Sequence, residues 1–475
     1  MDGDEAVDPA GRLRSGWAPL GRALERLGTA GLEAAARIAV VEREHRGVAV
    51  VSWEDGRPRE RPLPLDPVPR VLPAQEWARL AAGVLQRHRA LDAFLADCYR
   101  AAGRRRGDAD RDPEVVRAGV LPAWVAAHSP SRDPEAVALA WPGQPRATVA
   151  ATDLLRTRAG EWLVLGEDLR APAGLGLALA GRESSRTAVP ELHAAVGDRL
   201  VDSRDAVPLL ASALRAAAPP AIGGDPRCAV LATGDGVDPD VRLLAGALGA
   251  PVVRPGDLWL RQDAGIEALV DGARLPVDVL LRRSGEGELA AHRAAAGQPL
   301  QVLLTEAVRG GRLGLANVPG NGLADDRALH PWVPALIRFY LGEDPLLAPV
   351  PTWVLADDAQ WAQVRSRLHE LVLKPVGGYG GGGVVFGPAC SAAELAQLEA
   401  EVAAAPHRFV AQEQVDVATV PSLVAGFLLP RAVDLRVFSV AGPAPAALPA
   451  PLTRVAGAEG STGTGGRVKD TWLLR

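Results

Sequence analysis

The sequence predicts an α/β protein built of α+β lobes, with a helical region at its N-terminus and a small βαβ unit. Apolar residues recur at helical spacing through residues 75–102. Residues 227–261 follow the order strand, glycine turn, helix, strand, which is typical of a βαβ unit with parallel strands. Residues 372–385 have the order strand, glycine loop, strand, and further strands are expected at 408–415 and 433–440. The chain therefore combines long helices with parallel and hairpin-connected strands.

The length of 475 residues predicts about three domains at roughly 150 residues each. We divide the chain into a mostly helical N-terminal region at 1–145, a segment with strand signals at 146–200, the βαβ unit at 201–300, and a C-terminal part with the glycine loop at 301–475. An apolar content of 48% is enough for a large core, and the sequence contains no internal repeat.

Composition and charge exclude several classes of protein. The net charge is −5 and no basic stripe occurs, which argues against nucleic acid as a main partner. No run of 18 apolar residues is present, so we expect no membrane-spanning helix. Residues 1–11 are acidic and lack an apolar core, so we expect no signal peptide. The cysteines Cys98, Cys228 and Cys390 show no CxxC spacing, which fits a reduced cytoplasm and predicts no zinc site.

The basic residues have an unusual distribution. Of 52 lysines and arginines, only Lys374 and Lys469 are lysines. An ammonium group is a compact point charge on a flexible stem, whereas a guanidinium group is a planar fork. A chain that uses arginine almost everywhere, yet keeps a lysine directly before a glycine loop, suggests a chemical role for Lys374. Chance placement of two residues is the alternative.

The glycine loop after Lys374 is the clearest local motif. Gly378, Gly380 and Gly383 satisfy GxGxxG, but a strand follows them, whereas a dinucleotide-binding fold needs a helix there. A Walker loop needs its lysine after the glycines, and the kinase pattern lacks the HRD and DFG segments that belong to it. A hairpin flap remains, and such a flap can place bare N–H groups over phosphates that the ammonium of Lys374 can also reach. The alternative is a flexible surface hairpin.

Polar residues on the following strands fit the same interpretation. Gln412 and Glu413 follow an apolar strand, at a place where a hinge would hydrogen-bond adenine and ribose. Arg436 lies within the strand "VDLRVFSV", and Arg454 and a second glycine run at 463–466 come after it. Each of these features alone is more often part of an ordinary surface. Their order on successive strands is what favours a nucleotide site.

These motifs resemble the ATP-grasp superfamily. The segments "VLKP", "GGYGGGGV", "VAQEQV", "DLRVF", "TRVA" and "GTGG" follow one another as in glutathione synthetase and in the ligases that add glutamate to ribosomal protein. In those enzymes a metal-binding segment comes next, whereas here a similar segment, "TDLLRTRAGEWLVLGEDLRAPAG", lies upstream at 152–174. This rotated order is similar to the circularly permuted ATP-grasp type 2 family, which is related to glutathione synthetase-like and glutathionylspermidine synthase-like ligases. The likeness extends over most of the chain, from about residue 90 to residue 475.

The resemblance implies a circularly permuted ATP-grasp fold in which 146–200 is the metal-binding segment, 201–300 precedes the nucleotide lobes, and 301–475 binds nucleotide. It implies ATP and Mg²⁺ as cofactors, and a ligase that phosphorylates a carboxylate before an amine or thiol attacks the acyl phosphate. Carried over residue by residue, it assigns phosphate binding to Lys374, Gly378, Gly380, Gly381, Gly383 and Arg327, adenosine binding to Gln412 and Glu413, the acyl phosphate to Arg436 and Arg454, and magnesium to Asp153 and Asp168.

The chain departs from the family pattern at two places. Where the family has Glu-Asp-Asn in its metal segment, this chain has Gly166, Glu167 and Asp168. Strand alternation puts Glu167 on the opposite face from its two neighbours, so it replaces the missing carboxylate only if a bulge re-aims it. Arg327 stands where the family usually has lysine, and its planar fork changes the geometry of any phosphate contact. A non-catalytic nucleotide-binding or scaffold protein of the same fold is therefore the alternative function.

The substrate is not readable from these motifs. We expect a small-molecule or peptide substrate, and the segment "LRRSGEGEL" at 281–289 is our candidate for the substrate cleft. The resemblance also implies possible protein partners encoded nearby, of helical and transglutaminase-like types. No nucleic-acid or membrane partner is expected, and the location is expected to be cytoplasmic.

Overall fold

The computed structural model describes residues 3–54, 57–102, 112–127, 129–234, 238–377, 382–456 and 466–475. The predicted phosphate-binding glycines Gly378, Gly380 and Gly381 lie outside the described residues, as does most of the glycine run at 463–466.

The elements follow in chain order. The α-helices are α1 Ala18–His45, α2 Ala74–Ala102, α3 Glu114–Arg117, α4 Ala123–Ala127, α5 Leu175–Ala188, α6 Pro190–Val196, α7 Ala206–Ala216, α8 Pro239–Leu248, α9 Glu286–Ala291, α10 Leu300–Arg309, α11 Val333–Leu341, α12 Asp358–Val364 and α13 Ala392–Ala404. The strands are β1 Ala49–Glu54, β2 Arg57–Pro62, β3 Leu65–Pro73, β4 Val149–Arg156, β5 Trp162–Asp168, β6 Cys228–Leu231, β7 Val252–Val253, β8 Leu258–Leu260, β9 Ile266–Val270, β10 Ala273–Val277, β11 Val279–Arg282, β12 Gly314–Ala316, β13 Ala348–Pro349, β14 Thr352–Val354, β15 Leu371–Pro375, β16 Val385–Phe386, β17 Phe409–Glu413, β18 Thr419–Val424, β19 Phe427–Val440, β20 Ala446–Ala447, β21 Leu452–Val455 and β22 Arg467–Leu474.

The largest sheet joins strands from both ends of the chain. Its order is β13-β5-β4-β19-β21-β22-β3, and β18 and β20 also pair with β19. The upstream segment 146–200 supplies β4 and β5, and the C-terminal part supplies β19 to β22. One face of the sheet packs against α2 and the other against α1 and α5, because alternate residues along each strand point to opposite faces. The segment 146–200, which resembles the family's metal-binding segment, therefore lies in the same sheet as the C-terminal strands.

The first 145 residues contribute more than helices. Besides α1 and α2 they form β1, β2 and β3, and β3 pairs in parallel with β22 at the edge of the main sheet. The helical spacing that predicts α2 gives no sign of this strand. The main sheet is therefore completed by the N-terminal region.

The predicted βαβ unit is present at β6, α8 and β7, whose two strands pair in parallel. It belongs to a parallel sheet of order β12-β11-β6-β7. Helix α8 packs on one face of this sheet, and α10 packs on the other. A Cβ atom at Gly176 of α5 would lie 2.4 Å from the carbonyl oxygen of Asp240 in α8. Glycine at this position therefore lets α5 approach α8 closely and joins the two sheets.

The glycine loop connects two antiparallel strands, as its sequence predicts. Strands β15 and β16 pair through Val372 with Phe386 and Leu373 with Val385, within a sheet of order β14-β17-β15-β16. This pairing confirms the interpretation as strand, loop, strand and excludes a helix directly after the glycines. No helix in the described part of the chain is both long and apolar enough to traverse a bilayer.

The second lysine of the chain, Lys469, lies in the core of the main sheet. Its ammonium is 3.0 Å from the Asp66 carboxylate and donates to the carbonyl oxygens of Val68 and Pro421, each at 2.9 Å. An ammonium has three donors, and these three acceptors use all of them. Burial lowers the pKa of Lys469, and Asp66 opposes this shift. A planar guanidinium has a different donor geometry, which explains a lysine at this position.

We expect Lys469→Met to destabilise the protein by about 3–5 kcal/mol, because it leaves the buried Asp66 carboxylate without its ammonium partner. The free energy of unfolding in urea measures this effect. Arg12→Met is the control, since the Arg12–Asp8 pair lies on the surface with the arginine side chain 81% exposed. Equal unfolding midpoints for the two variants would contradict a structural role for Lys469.

Candidate functional site

A carboxylate and two guanidinium groups meet on one face of the main sheet. Asp153 in β4 lies opposite Arg436 in β19, and Asp434 lies opposite Arg454 in β21. The Asp153 oxygens accept two hydrogen bonds from Arg436, at 2.7 and 2.8 Å. Arg454 lies 3.0 Å from Asp153 and binds the fully buried Asp434 through two of its nitrogens. We call Asp153, Asp434, Arg436 and Arg454 the cleft cluster.

Electrostatics hold Asp153, Arg436 and Arg454 of the cleft cluster in their ionised forms. Burial alone would raise the pKa of Asp153, but Arg436 and Arg454 outweigh it and hold that pKa well below its usual range. Burial opposes the charge of each arginine too, and the neighbouring carboxylates raise the pKa of both. Asp153, Arg436 and Arg454 are therefore held in their charged forms, and the guanidinium groups are oriented by hydrogen bonds to Asp153 and Asp434 before any ligand arrives.

Asp168 joins the same face from the neighbouring strand. It pairs with Ala151, two residues before Asp153, so both aspartates point to one side of the sheet. Its carboxylate lies 3.6 Å from Arg436, and its side chain is 22% exposed. Gly166 lies directly opposite Asp153, and a Cβ atom there would meet no heavy atom within 4 Å. The position of the missing family carboxylate is therefore open space beside both aspartates.

Glu167 points to the opposite face, where it has its own partners. The pairing of β4 with β5 contains a bulge, but Glu167 remains opposite Thr152 and outside the cleft cluster. Its carboxylate accepts a hydrogen bond from Arg87 of α2 at 2.5 Å and lies 2.9 Å from Nδ1 of His330. Burial would raise the pKa of Glu167, but Arg87 and His330 lower it to about 2. The bulge does not re-aim Glu167, which anchors β5 to α2.

Lys374 approaches this face from the glycine hairpin. Its ammonium donates to the amide oxygen of Gln412, on the neighbouring strand β17. The Gln412 amide nitrogen in turn contacts Thr352 at 3.0 Å and the carbonyl oxygen of Leu165, in β5, at 3.4 Å. Burial and the nearby charge of Arg327 lower the pKa of Lys374 to about 8, and Asp153 opposes this shift. The hairpin sheet thus contacts the main sheet through Gln412, the hydrogen-bond partner of Lys374.

Gln412 and Glu413, the two predicted adenosine contacts, lie in different surroundings. Gln412 is 3% exposed, and its amide bonds Lys374 and Thr352. Glu413 lies at the surface, 3.4 Å from Arg367. A polar pair at the end of a strand looks the same in the sequence whether its side chains face a ligand or a neighbouring strand.

Arg327 lies beside the hairpin. It donates to the carbonyl oxygen of Pro375 at 2.5 Å, and its backbone N–H bonds the carbonyl oxygen of Val376 at 3.3 Å. Burial lowers the pKa of Arg327, and the charge of Asp326 partly offsets this shift. Gly383, the described member of the predicted glycine set, has φ +72° and lies against the ring of Pro375. The cations Lys374, Arg327, Arg436 and Arg454 therefore converge from four separate segments.

Sequence reasoning missed a set of side chains that fixes Leu169, the residue after Asp168. The amide nitrogens of Asn317 and Asn321 donate to the Leu169 carbonyl oxygen, at 2.7 and 3.0 Å. The Asp325 carboxylate accepts from the Leu169 N–H at 2.9 Å. Asn317 and Asn321 are the two asparagines of the whole sequence, and their rarity was the signal from which their special position could have been inferred. Both sides of the Leu169 backbone are held, which fixes the position of Asp168.

The residues fit a magnesium ion only in part. Both Asp153 oxygens are bonded to guanidinium groups, and the described residues contain no group of three or more acidic, histidine or cysteine side chains able to hold a metal. Magnesium often keeps several waters and binds through one or two carboxylates together with substrate phosphates. Asp168 is partly exposed and fits that role. The site therefore suits an ion held mainly by nucleotide phosphates.

Comparison with known proteins agrees with this geometry. The family model for circularly permuted ATP-grasp type 2 matches residues 69–456. A protein of Frankia casuarinae, provisionally named a glutamate–cysteine ligase, is 41% identical over 479 residues, covering 99% of this chain and 54% of that protein. The chain thus spans about half the length of this relative.

Relatives without an assigned function share the same region. An uncharacterised Mycobacterium tuberculosis protein is 38% identical over 424 residues, covering 88% of this chain and 74% of its own length. An uncharacterised Synechocystis protein is 31% identical over 440 residues, covering 90% of this chain and 88% of its own length. The mixed α/β fold, with upstream strands closing onto the C-terminal sheet, and the family match lead to one conclusion: the chain belongs to the circularly permuted ATP-grasp type 2 family.

Proposed function

We propose that this protein is an ATP-dependent ligase that joins a carboxylate to an amine or a thiol through an acyl phosphate. The observation that carries the proposal is the convergence of Lys374, Arg327, Arg436 and Arg454 on the face that also presents Asp153 and Asp168. Cations fixed in a largely dehydrated cleft stabilise phosphoryl transfer because the charge of the transferring group needs neutralisation.

The proposed reaction has two steps. A substrate carboxylate oxygen attacks the γ-phosphorus of ATP, and ADP leaves with the electron pair of the broken P–O bond. The amine or thiol then attacks the acyl carbon, phosphate leaves with the C–O electron pair, and the nucleophile loses its proton. Lys374 and Arg327 hold the nucleotide phosphates, and Arg436 and Arg454 orient the acyl phosphate. Mg²⁺, when bound with the phosphates and Asp168, supplies further charge neutralisation.

The substrate pair is a separate part of the proposal. Two Frankia relatives, about 40% identical, carry the provisional name glutamate–cysteine ligase, and this chain aligns with 54% of each. Glutamate and cysteine are therefore the first substrates to test.

The three cysteines of the protein itself form no disulfide, which fits the proposed location in the cytoplasm. Burial raises the pKa of the Cys98 thiol, which suppresses the reactive thiolate.

A second function competes with the ligase. Gly166 leaves the face of Asp153 and Asp168 without the carboxylate that the family has at this position, and Arg436 and Arg454 bind the oxygens of Asp153. These observations favour a non-catalytic nucleotide-binding protein of the same fold. Such a protein binds ATP almost independently of Mg²⁺ and releases no ADP with any acceptor.

Lys374→Ala tests the phosphate site directly. We expect ATP binding to weaken by roughly tenfold to a hundredfold, because a charge-assisted hydrogen bond to phosphate is lost. Release of ADP with glutamate and cysteine should stop. Isothermal titration and a coupled ADP assay measure the two effects, with Arg365→Ala, a surface arginine paired with Glu399, as control. Unchanged ATP affinity in Lys374→Ala would remove the proposed site.

The lowered pKa of Lys374 predicts a pH dependence of ATP affinity. At pH values below the Lys374 pKa of about 8, the ammonium is charged, and its protonation does not change the ATP affinity. Above it, binding must first take up a proton, so affinity falls by up to about tenfold per pH unit. Titrations from about pH 7.5 to about pH 10 follow the change. Lys374→Arg, which stays protonated, should show no such fall; a parallel decline in both proteins would assign it to another group.

Gly166→Glu separates the two candidate functions. The new side chain enters open space opposite Asp153 and adds an oxygen ligand for Mg²⁺. If the natural site is short of ligands, the Mg²⁺-dependent part of ATP affinity should rise by roughly tenfold, the effect of one added charged contact. Gly166→Gln is the matched control of equal length without the charge. Equal ATP affinities in both variants, with and without Mg²⁺, would show that the missing carboxylate is not what limits the site.

A further inference from the structure

The first described residues of the chain lie against the main sheet, outside the part that matches the family model. Residues 3–5, which we call the N-terminal strap, run beside Thr419, the first residue of β18. The Glu5 N–H donates to the Thr419 carbonyl oxygen at 2.8 Å, and the Thr419 N–H donates to the Gly3 carbonyl oxygen at 3.0 Å. Thr419 pairs with Ala432 of β19. The strap is therefore fixed beside the strand that carries part of the cleft cluster.

The strap supplies the carboxylate partner of a fully buried arginine. Arg70 of β3 is 0% exposed, and its Nε and one terminal nitrogen donate to the two carboxylate oxygens of Glu5, at 2.9 and 2.6 Å. Glu5 itself is 5% exposed. A guanidinium that binds both oxygens of a carboxylate makes one of the strongest hydrogen-bonded contacts in proteins. Glu5 therefore neutralises a positive charge that is excluded from solvent.

The remaining terminal nitrogen of Arg70 connects this pair to the cleft cluster. It donates to the carbonyl oxygen of Asp434 at 3.2 Å. The carboxylate of the same residue accepts from Nε of Arg454 at 2.9 Å and from a terminal nitrogen at 2.7 Å. Asp434 is 0% exposed. Two arginines therefore bind one buried aspartate, Arg70 at its main chain and Arg454 at its side chain.

Two other buried carboxylates belong to this region, and each already has a cation partner. Asp66, in the same strand as Arg70, binds the second lysine of the chain. Asp434 binds Arg454. A buried guanidinium without an anion is strongly unfavourable, because charges attract strongly where water is excluded. Without the charge of Glu5, Arg70 would therefore compete with Arg454 for the Asp434 carboxylate.

We propose that Glu5 is a positioning residue of the cleft: by neutralising Arg70, it leaves the Asp434 carboxylate to Arg454. The Arg454 guanidinium then keeps its orientation between Asp434 and Asp153, which lie 2.7 and 3.0 Å from it. This inference rests on the proposed function, which assigns Arg454 to the acyl phosphate. Glu5 contacts no reactant and acts through Arg70. The N-terminal strap is thereby part of the support of a site whose arginines come from the C-terminal strands.

The signal of the Arg454 Nε–H in a proton–nitrogen correlation spectrum of the whole protein tests this link without any ligand. Its bond to Asp434 shields this group from solvent, and Arg454→Lys identifies the signal by its loss. We expect Glu5→Gln to shift the signal and to accelerate its hydrogen exchange by roughly tenfold, the effect of weakening one charge-assisted hydrogen bond. Asp470→Asn is the matched control, because it neutralises the equally buried pair of Asp470 with Arg182. An unchanged Arg454 signal in Glu5→Gln would overturn the proposal.

A double variant separates charge balance from a purely structural role. Glu5→Gln combined with Arg70→Met removes the unpaired charge together with the contact, and uncharged replacements of buried ion pairs are often tolerated. We expect the Arg454 exchange rate to return to within about twofold of the natural rate. A double variant as perturbed as Glu5→Gln alone would overturn the proposal, as would failure of both variants to fold. If Glu5→Gln alone fails to fold, a natural Arg454 signal in the double variant supports the proposal.

Binding of acetylphosphonate, a stable analogue of an acyl phosphate, connects the inference to the proposed reaction. Phosphorus NMR titrations should show binding weakened by roughly tenfold in Glu5→Gln. The ATP affinity, assigned to Lys374 and Arg327, should change by less than about twofold. Acetylphosphonate binding with an unchanged Arg454 signal in Glu5→Gln would overturn the role of Glu5 and leave the ligase function standing. A changed Arg454 signal in a protein that does not bind acetylphosphonate would overturn the ligase function and leave the role of Glu5.

Discussion

The contact of Asp153 with Arg436 and Arg454 is the constraint on which the rest of the site depends. It joins three strands of one sheet, and Asp153 and Arg436 are 283 positions apart in the chain. A buried carboxylate without a cation partner is strongly unfavourable, and so is a buried guanidinium without an anion. A slip of one residue between β4 and β19 would send Asp153 to the other face, which would remove both hydrogen bonds from Arg436 to Asp153 and leave Arg454 with Asp434 alone. The ion cluster therefore fixes the register that brings the upstream segment to the C-terminal strands.

The same requirement for partners explains where the chain uses lysine. Lys469 meets three acceptors in a space where a planar fork would leave donors unpaired. Lys374 donates to the amide oxygen of Gln412, and burial and the charge of Arg327 lower its pKa to about 8. Lys469 is therefore a satisfied part of the core, whereas the proposed function assigns Lys374 to the nucleotide phosphates.

Motifs predicted the fold and the residues of the site better than they predicted the hydrogen-bond partners of those residues. Residue spacing predicted the glycine hairpin and the parallel βαβ unit, and the resemblance placed Asp153, Asp168, Arg436 and Arg454 in one cleft. The hydrogen bonds of Gln412 to Lys374 and Thr352 were not predicted, because a side chain bonded to a neighbouring strand leaves no trace in the sequence. The clamp on Leu169 was missed since Asn317 bonds a main-chain atom 148 residues away, and main-chain atoms carry no sequence signal. Strand β3 was missed beside a dominant helical pattern.

The permuted order places the 169–174 loop between Arg436 of the main sheet and the arginines Arg282 and Arg283 at the end of β11. The loop runs directly from Asp168, at the end of β5, to α5, which packs against α8 of the parallel sheet. Its carbonyl oxygens are held by Arg436 from one side and by Arg282 and Arg283 from the other. Because the side chains of Asn317, Asn321 and Asp325 also fix its first residue, the loop has little freedom to move independently. A shift of this backbone on the side of Arg436 would therefore also disturb the hydrogen bonds from Arg282 and Arg283.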